Sequence, residues 1–467
     1  MVSVTVRTQT GLTKKIFADS ILLVDALEAM GYSVKKPCGG KGICGRCKVK
    51  ALGSLNPPAE KGFALACKSQ VIGEVYVDFT DKTDDVSSVT ERVMPAFFNN
   101  PLIDQGYGAA VDVGTTTIAA YIYKVPECEC VKTLCIENPQ TRFGADVLTR
   151  IEFAKENISL LSSIVRDAID SMISGFDIKK MVITGNTIML HLYCGLDPSG
   201  MALFPFKPLS LFGNWQDNTY IMPCITSYVG ADITAAILAS GMTENKTALL
   251  ADLGTNGEMA LWHDGKLTVC SSAAGPAFEA VGIKNGMSSV PGAINHVTAD
   301  GFTTVGNKPP MGICGSGLTD AISYLLELGK LDLSGYLEDA FEIHNSGIFI
   351  YPDDIRLFQL AKSAVRSGLD TLLDFKGISY SDVDAFYLAG GLGSCIDSLS
   401  AAKTGLIPYE LAGKTKILGN AAGSGASMLL LNKDFINQAD SIAKSAFLLE
   451  LAGNDDFGKK YLKNMYF

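Results

Sequence analysis

Four cysteines crowd residues 38–67: Cys38, Cys44 and Cys47 in the run Pro37-Cys-Gly-Gly-Lys-Gly-Ile-Cys-Gly-Arg-Cys47, and Cys67 in Leu65-Ala-Cys-Lys68. Thiolates spaced C-x5-C-x2-C, with a distant fourth, suit a [2Fe–2S] cluster, in which four sulfurs converge on two irons. The intervening glycines let the backbone wrap the inorganic sulfides and turn N–H groups toward them. Zinc is the alternative chemistry, because C-x2-C also serves zinc; zinc sites usually pair two short couples, and here the fourth cysteine is solitary. The rest of the 12 cysteines scatter along the chain, so a disulfide framework explains the pattern poorly.

A second chemistry lies in two carboxylate-bearing turns. Val111-Asp-Val-Gly-Thr-Thr-Thr-Ile-Ala119 and Ala251-Asp-Leu-Gly-Thr-Asn-Gly-Glu-Met259 repeat D-x-G-T between strand-like apolar runs. Such turns offer backbone N–H groups and hydroxyls to phosphate oxygens, with no bulky side chain in the way. Asp112 and Asp252 are the residues expected to hold Mg²⁺ and act in catalysis, through waters because magnesium dehydrates reluctantly. Gly114, Thr115 and Thr116, with Gly254, Thr255 and Asn256, are expected to cradle the phosphates of ATP. Further glycine turns at Ala274–Glu279, at Gly315, Ser316 and Gly317, and at Gly390, Gly391 and Gly393 are expected to line the same nucleotide, the last passing flat beneath the adenosine. Neither P-loop nor dinucleotide-fold spacing fits these glycines.

The elements that must position these groups fall into a small unit and a large one. Over residues 1–80, a hairpin of Val2–Arg7 and Lys14–Phe17 precedes a helix capped by Asp19 or Ser20 and running through Ala29. After the cysteine loop come a strand at Cys47–Ala51 and a last strand at Glu74–Thr80. That order predicts an α+β β-grasp domain of the ferredoxin type. Residues 81–107 read as a linker in which Met94–Phe98 is apolar enough to dock. From Gly108 the pattern becomes α/β, with residues 108–245 and 246–467 each opening on one of the twin turns. Helices are expected near Gly144–Lys155, Leu160–Ser174, Ala231–Ser240, Asp354–Leu373 and Ala421–Leu431, with buried strands at Met181–Thr184 and Asp384–Leu388. Two halves that each open on the same turn suggest a duplication closing on a polyanion.

Bulk properties narrow the classes. A formal charge of −10 argues against nucleic acid and anionic membranes as partners. No apolar run approaches the roughly 18–20 residues of a bilayer span, and the N-terminus lacks a signal-peptide pattern. A cytoplasmic location is the expectation.

The ordered set of turns, connecting helix, late G-G-x-G and final small-residue helix resembles the duplicated, ribonuclease H-like ATPase domain of actin, heat-shock-70 chaperones and sugar kinases. The cysteine loop resembles plant-type ferredoxins, departing in the first gap and in a short interval before Cys67. The two together resemble the reductive activators of corrinoid-dependent enzymes, as do Glu137–Asp146, Ile183–Thr187, Gly275–Glu279, Ile313–Leu318 and Asp354–Lys362. The resemblance implies ATP-dependent return of cob(II) to cob(I) on a corrinoid protein or corrinoid methyltransferase, with electrons from a low-potential donor. It implies that Cys38, Cys44, Cys47 and Cys67 hold the cluster and that the twin turns hold Mg-ATP. Larger family members carry an extra domain before the ATPase that is missing here, which leaves homodimer formation open. Rival readings are an activator of a different redox enzyme, akin to the dehydratase activators, a sugar-type kinase with a redox sensor, and a non-enzymatic nucleotide-gated regulator.

Several residues invite over-reading. Cys128, Cys130 and Cys135 lack a nearby His or fourth cysteine and are expected to be ordinary strand or loop residues. Cys194, Cys224, Cys270, Cys314 and Cys395 are expected to pack, and His191 to be a satisfied core residue. Asp232 fits either the magnesium shell or a helix cap.

Overall fold

The computed structural model describes residues 1–8, 11–32, 34, 47–60, 62–79, 91–144, 146–393 and 396–467. Cys38, Cys44 and Cys395 lie outside the described residues, as does the first part of the expected linker. The chain divides into two units, Met1–Asp85 with Gln140–Arg150, and Val86–Pro139 with Ile151–Phe467.

The first unit is a β-grasp sheet. Strands β1 (Val2–Thr8), β2 (Gly11–Phe17), β3 (Ile21–Leu22), β4 (Lys48–Asn56), β5 (Phe63–Leu65) and β6 (Gln70–Asp78) lie in the order β2-β1-β6-β4-β5, with β3 added to β6. β1 and β6 run parallel at the centre. Alternation along β1 and β6 sends Val4, Val6, Val71, Val75 and Val77 inward, against Leu23 and Leu27 of helix α1 (Leu23–Ala29). The helix starts later than its sequence suggests. Ile21 and Leu22 pair with Val71 and Gln70 instead, and the first helical N–H groups of Leu23 and Val24 go to the carbonyls of Ser69 and Ala66. Backbone acceptors thus replace the expected Asp19 or Ser20 cap.

The second unit contains two sheets of the same design. In the first, β7 (Gly106–Val113), β8 (Thr117–Val125) and β9 (Glu129–Glu137) form an antiparallel meander. β10 (Ile178–Gly185) then lies parallel to β7, and β11 (Asn214–Gln216) and β12 (Thr219–Ile221) complete the order β11-β12-β10-β7-β8-β9. In the second, β13 (Thr247–Leu253), β14 (Gly257–His263) and β15 (Lys266–Ser272) repeat the meander. The strand Ala385–Ala389 lies parallel to β13, with Thr415–Gly419 outside it. Five strands follow the same order in both halves, the first sheet adding β11 at one edge and the second adding Phe447–Leu448 at the other; this is the duplication that the twin turns implied, and it makes this unit an actin-like α/β ATPase fold.

Helices cover these sheets: α2 (Val147–Ile173), α3 (Thr187–Cys194), α4 (Ala231–Ser240), α5 (Gly315–Glu327) and α6 (Pro352–Lys376). The two helices expected at 144–155 and 160–174 are the two segments of α2, which meet at a kink where Asn157 leaves helical geometry (φ −131°, ψ 26°). Its side-chain amide donates to the Phe153 carbonyl one turn back, a local bond that competes with the helix ladder. The helix Ala421–Leu431 is buried throughout, and Gly425 brings it against the α4 backbone, where a Cβ would stand 2.2 Å from the Ala235 carbonyl. Among the described residues no helix is long and apolar enough to cross a membrane.

Candidate functional site

Each twin turn closes a hairpin at the same edge of its sheet. In the first, the Gly114 N–H donates to the Thr117 carbonyl at 2.9 Å; in the second, the Gly254 N–H donates to Asn256 at 3.1 Å. Asn138, fully buried, braces the first turn: its amide donates to the Gly114 carbonyl at 2.8 Å and its backbone N–H to Thr116. Asn186 caps α3 through Met189 N–H and donates to the Thr115 hydroxyl at 3.0 Å. The Ile183–Thr187 motif therefore acts by ordering the turn from the neighbouring strand.

One carboxylate joins the two halves. Glu279 accepts from Thr116 Oγ1 at 3.2 Å and from Thr255 Oγ1 at 2.8 Å, one hydroxyl from each turn. Sequence reasoning quoted Glu279 within a motif without giving it a role. It also passed over Glu258, which pairs in register with Asp252 and is buried.

Four carboxylates gather here: Glu258, which is buried, and Asp112, Asp232 and Asp252, which are half-buried. Burial raises Asp112 to about 7, Asn420 lowers it by donating a hydrogen bond, and the charge of Asp232 raises it further. Asp252 rises to about 7 through burial and the charges of Asp232 and Asp112. Burial takes Asp232 to about 6, against bonds from backbone N–H groups that lower it. Glu258 is pushed well above the usual range by burial, then by Asp232 and Asp252. No ion pair among the described residues neutralises these groups, so the donor set fits a divalent cation. Among the described residues no three His, Cys, Asp or Glu are grouped closely enough to hold a metal alone. Gly230 occupies the N-cap of α4, and Asp232 in the first turn accepts the Ile233 N–H at 2.9 Å, so its side chain does satisfy one of the helix's leading N–H groups.

The late glycines divide. Gly390, at φ +86°, lies so close to Asp252 that a Cβ would stand 2.4 Å from Oδ1, whereas at Gly391 a Cβ would meet open space. Gly393 ends the same short helical turn. Gly315 and Gly317 are spent on packing: a Cβ would come within 1.9 Å of the Phe278 carbonyl and 2.2 Å of the Ile294 carbonyl. Ser316 donates to the Asn295 carbonyl.

In the first unit Cys47 and Cys67 are buried with their sulfurs 3.1 Å apart, too far for a disulfide. The Ala66 N–H donates to the Cys47 carbonyl, which fixes the two segments together. Cys130 and Cys135 sit in the outer strand β9, opposite Tyr123 and Ala119. Burial pushes the Cys135 thiol up to about 12, so it is no ready thiolate. Cys224, Cys270 and Cys314 are buried. His191 is satisfied on both nitrogens, donating from Nδ1 to Thr187 O at 2.7 Å and accepting at Nε2 from Leu209 and Ser210 N–H groups.

Family models match most of the chain: a 2Fe-2S iron-sulfur cluster binding domain over residues 8–71, the RACo middle region over 107–245, and the C-terminal ASKHA domain of RACo over 246–467. The corrinoid activation enzyme RamQ of Eubacterium limosum is 31% identical over 417 residues, covering 77% of this chain and 70% of that protein. The chain belongs to the corrinoid activators. A second relative, the [Co(II) methylated amine-specific corrinoid protein] reductase of Methanosarcina barkeri, is 27% identical, covering 76% of each. Among solved structures, a reductive activator for corrinoid, iron-sulfur protein matches with a TM-score of 0.72 at 25% identity, over 100% of this chain and 98% of that one. The activator accordingly takes a [2Fe–2S] cluster and ATP with Mg²⁺ as cofactors.

The carboxylate group predicts a pH dependence. Native Asp112, Asp232 and Asp252 hold protons up to about pH 6–7, whereas unfolded carboxyls release theirs near about 4. The native activator therefore binds more protons between these limits, and its stability without Mg²⁺ falls as pH rises from about 4 to about 7. Cation binding requires the ionised forms, so Mg²⁺ affinity rises over that window. Unfolding midpoints between about pH 5 and 8, with EDTA or with Mg²⁺ and ATP, should diverge as pH increases; parallel curves would contradict the assignment.

Proposed function

We propose that this chain couples ATP binding and hydrolysis to one-electron reduction of a corrinoid protein, returning cob(II) to cob(I). It is an ATP-dependent iron–sulfur oxidoreductase whose partners are a corrinoid protein or corrinoid methyltransferase and a low-potential electron donor, working in the cytoplasm. The observation that carries the nucleotide part is Glu279 bonded to Thr116 and Thr255, which puts the phosphate turns of the two halves within reach of one ligand.

In this reading Gly114, Thr115, Thr116, Gly254, Thr255 and Asn256 bind the phosphates, and Asp112 and Asp252 orient the magnesium-bound waters. Gly390 and Gly391 leave room for the nucleoside. Glu279 must yield its two threonine hydroxyls to the phosphates, so the nucleotide takes over a bridge between the turns that the carboxylate holds in its absence. Cys38, Cys44, Cys47 and Cys67 are the proposed ligands in the first unit. When bound, the cluster supplies a one-electron donor and Mg²⁺ neutralises phosphate charge. The need for ATP follows from the low potential of the cobalt couple. Each tenfold gain in a one-electron equilibrium takes about 59 mV, which a modest ATP-linked change in binding or ligation can supply.

The test is anaerobic: purified protein, a low-potential reductant, a cob(II) corrinoid protein, and ATP added or withheld. Cob(I) absorption should grow with ATP and Mg²⁺ and remain low without them. Equal yields would remove the coupling, and no cob(I) in either case would move the chain to another redox partner.

A further inference from the structure

The later part of the sequence joining the cysteine-bearing residues to the ATPase fold is no free tether. From Glu91 to Ile103 it lies along the strand Thr415–Gly419 and the helix Ala421–Leu431. The Val93 N–H donates to the Leu418 carbonyl at 3.1 Å, and the Asn420 N–H donates to the Glu91 carbonyl at 2.8 Å. Further on, Asn100 and Leu102 donate to Leu431 and Leu430. The approach at Gly419 is too close for any other residue: at φ +64°, a Cβ would stand 2.2 Å from the Glu91 carbonyl.

One residue of this seam reaches the nucleotide site, and a second reaches the strand that leaves its first turn. The Asn420 side chain donates from Nδ2 to Asp112 Oδ2 at 2.9 Å, while its Oδ1 accepts from the Gly423 N–H at 2.6 Å. The second bond fixes the amide orientation, because only the NH₂ end is left for the carboxylate. Asn420 thus holds Asp112 with its side chain and the tether with its backbone. Arg92, which forms an antiparallel bridge with Gly419, places its guanidinium 3.9 Å from the Tyr121 ring centre and 5.3 Å from that of Tyr123. Both tyrosines lie in β8, the strand leaving the first phosphate turn. Arg92 also donates to the Ser427 hydroxyl. No ion pair among the described residues involves Arg92, so these aromatic faces are its main electrostatic partner.

We propose that Asn420 and Arg92 are positioning residues that couple the nucleotide site to the docked end of the tether, so that Mg-ATP loosens the seam. This rests on the nucleotide reading given above. The direction follows from donor chemistry. Asp112 can accept from both the Asn420 amide and a magnesium-bound water, but charge drawn toward the hydrated cation that arrives with phosphate weakens what the Asn420 amide receives. As Asn420 gives way, its backbone bond to Glu91 and the cap on Gly423 are disturbed together. ATP then governs how firmly residues 91–103 are held, in addition to closing the cleft.

Coupling is reciprocal: whatever loosens the seam must strengthen nucleotide binding by the same factor. The experiment uses the full chain with Mg²⁺ and a non-hydrolysable ATP analogue. Amide exchange at Val93 and Asn420 should quicken about tenfold on adding the analogue, and Arg92→Ala should bind it about fivefold more tightly than wild type. Arg92→Lys, which keeps the charge over the rings, should lie between the two. An arginine that only supports the fold would weaken binding or leave it unchanged when removed, and either result overturns the proposal. Unchanged exchange in wild type at saturating analogue overturns it without any variant. Failure of the wild type to bind the analogue removes the nucleotide reading itself, and the coupling falls with it.

Discussion

Asp252→Asn is expected to lower ATP-dependent cob(I) formation about a hundredfold or more while making the nucleotide-free protein more resistant to heat. The two effects share one cause. Asparagine matches aspartate in shape, so it fits beneath Gly390, where no extra atom is tolerated. What it lacks is charge. In the empty site that charge is a burden, since burial and the charges of Asp232 and Asp112 already drive Asp252 up to about 7. Relieving it stabilises the fold, as removing uncompensated buried charge commonly does. On the proposed reading the same charge holds hydrated magnesium against the phosphates once Mg-ATP binds, and a hundredfold loss corresponds to about 2.7 kcal/mol of lost transition-state stabilisation. Thermal unfolding and the cob(I) assay on one preparation separate this from damage to the fold. A variant that melts lower and works less would indicate only disruption; one with full ATP dependence would remove Asp252 from the mechanism.

What could be read in the sequence was local. D-x-G-T between two apolar runs identifies a hairpin with a phosphate-suited turn, and its recurrence 140 positions later, from Asp112 to Asp252, announces the duplication that the two strand orders display. The cysteine loop was legible for the same reason, because ligand spacing and glycines occupy one short stretch. What escaped was long-range. Glu279 meets Thr116 across 163 positions and Asn420 meets Asp112 across 308, and nothing in either neighbourhood announces its partner. Glycine runs were ambiguous in principle. Glycine serves a phosphate and a close backbone contact for the same lack of a Cβ; Gly315 and Gly317 prove to make the second, pressed against Phe278 and Ile294. The helix boundaries erred where tertiary hydrogen bonds override local signals, as when Ser69 and Ala66 supply acceptors at the start of α1 in place of a side-chain cap.

Cys67→Ser is expected to abolish electron delivery while leaving nucleotide binding and hydrolysis close to wild type. A serine hydroxyl is a poor ligand for iron compared with a thiolate, and it would stand where Cys67 now lies 3.1 Å from Cys47. Cys67 is buried among Val24, Ala64, Ala66 and Val71, so no solvent thiol can readily take its place. Iron content and visible absorption should fall with cob(I) production, since all three depend on four converging thiolates. The ATPase residues belong to a separate compact unit with its own core around Leu249, Leu261 and Phe358, and that core does not need Cys67 to fold. Cys130→Ser supplies the control: Cys130 lies in the outer strand β9, and its loss should leave iron and activity unchanged. If both variants keep iron, Cys67 is no ligand and the cluster must be held by a different set. If Cys67→Ser loses iron yet still yields cob(I), the electron reaches cobalt by another route, and the ferredoxin unit serves docking alone.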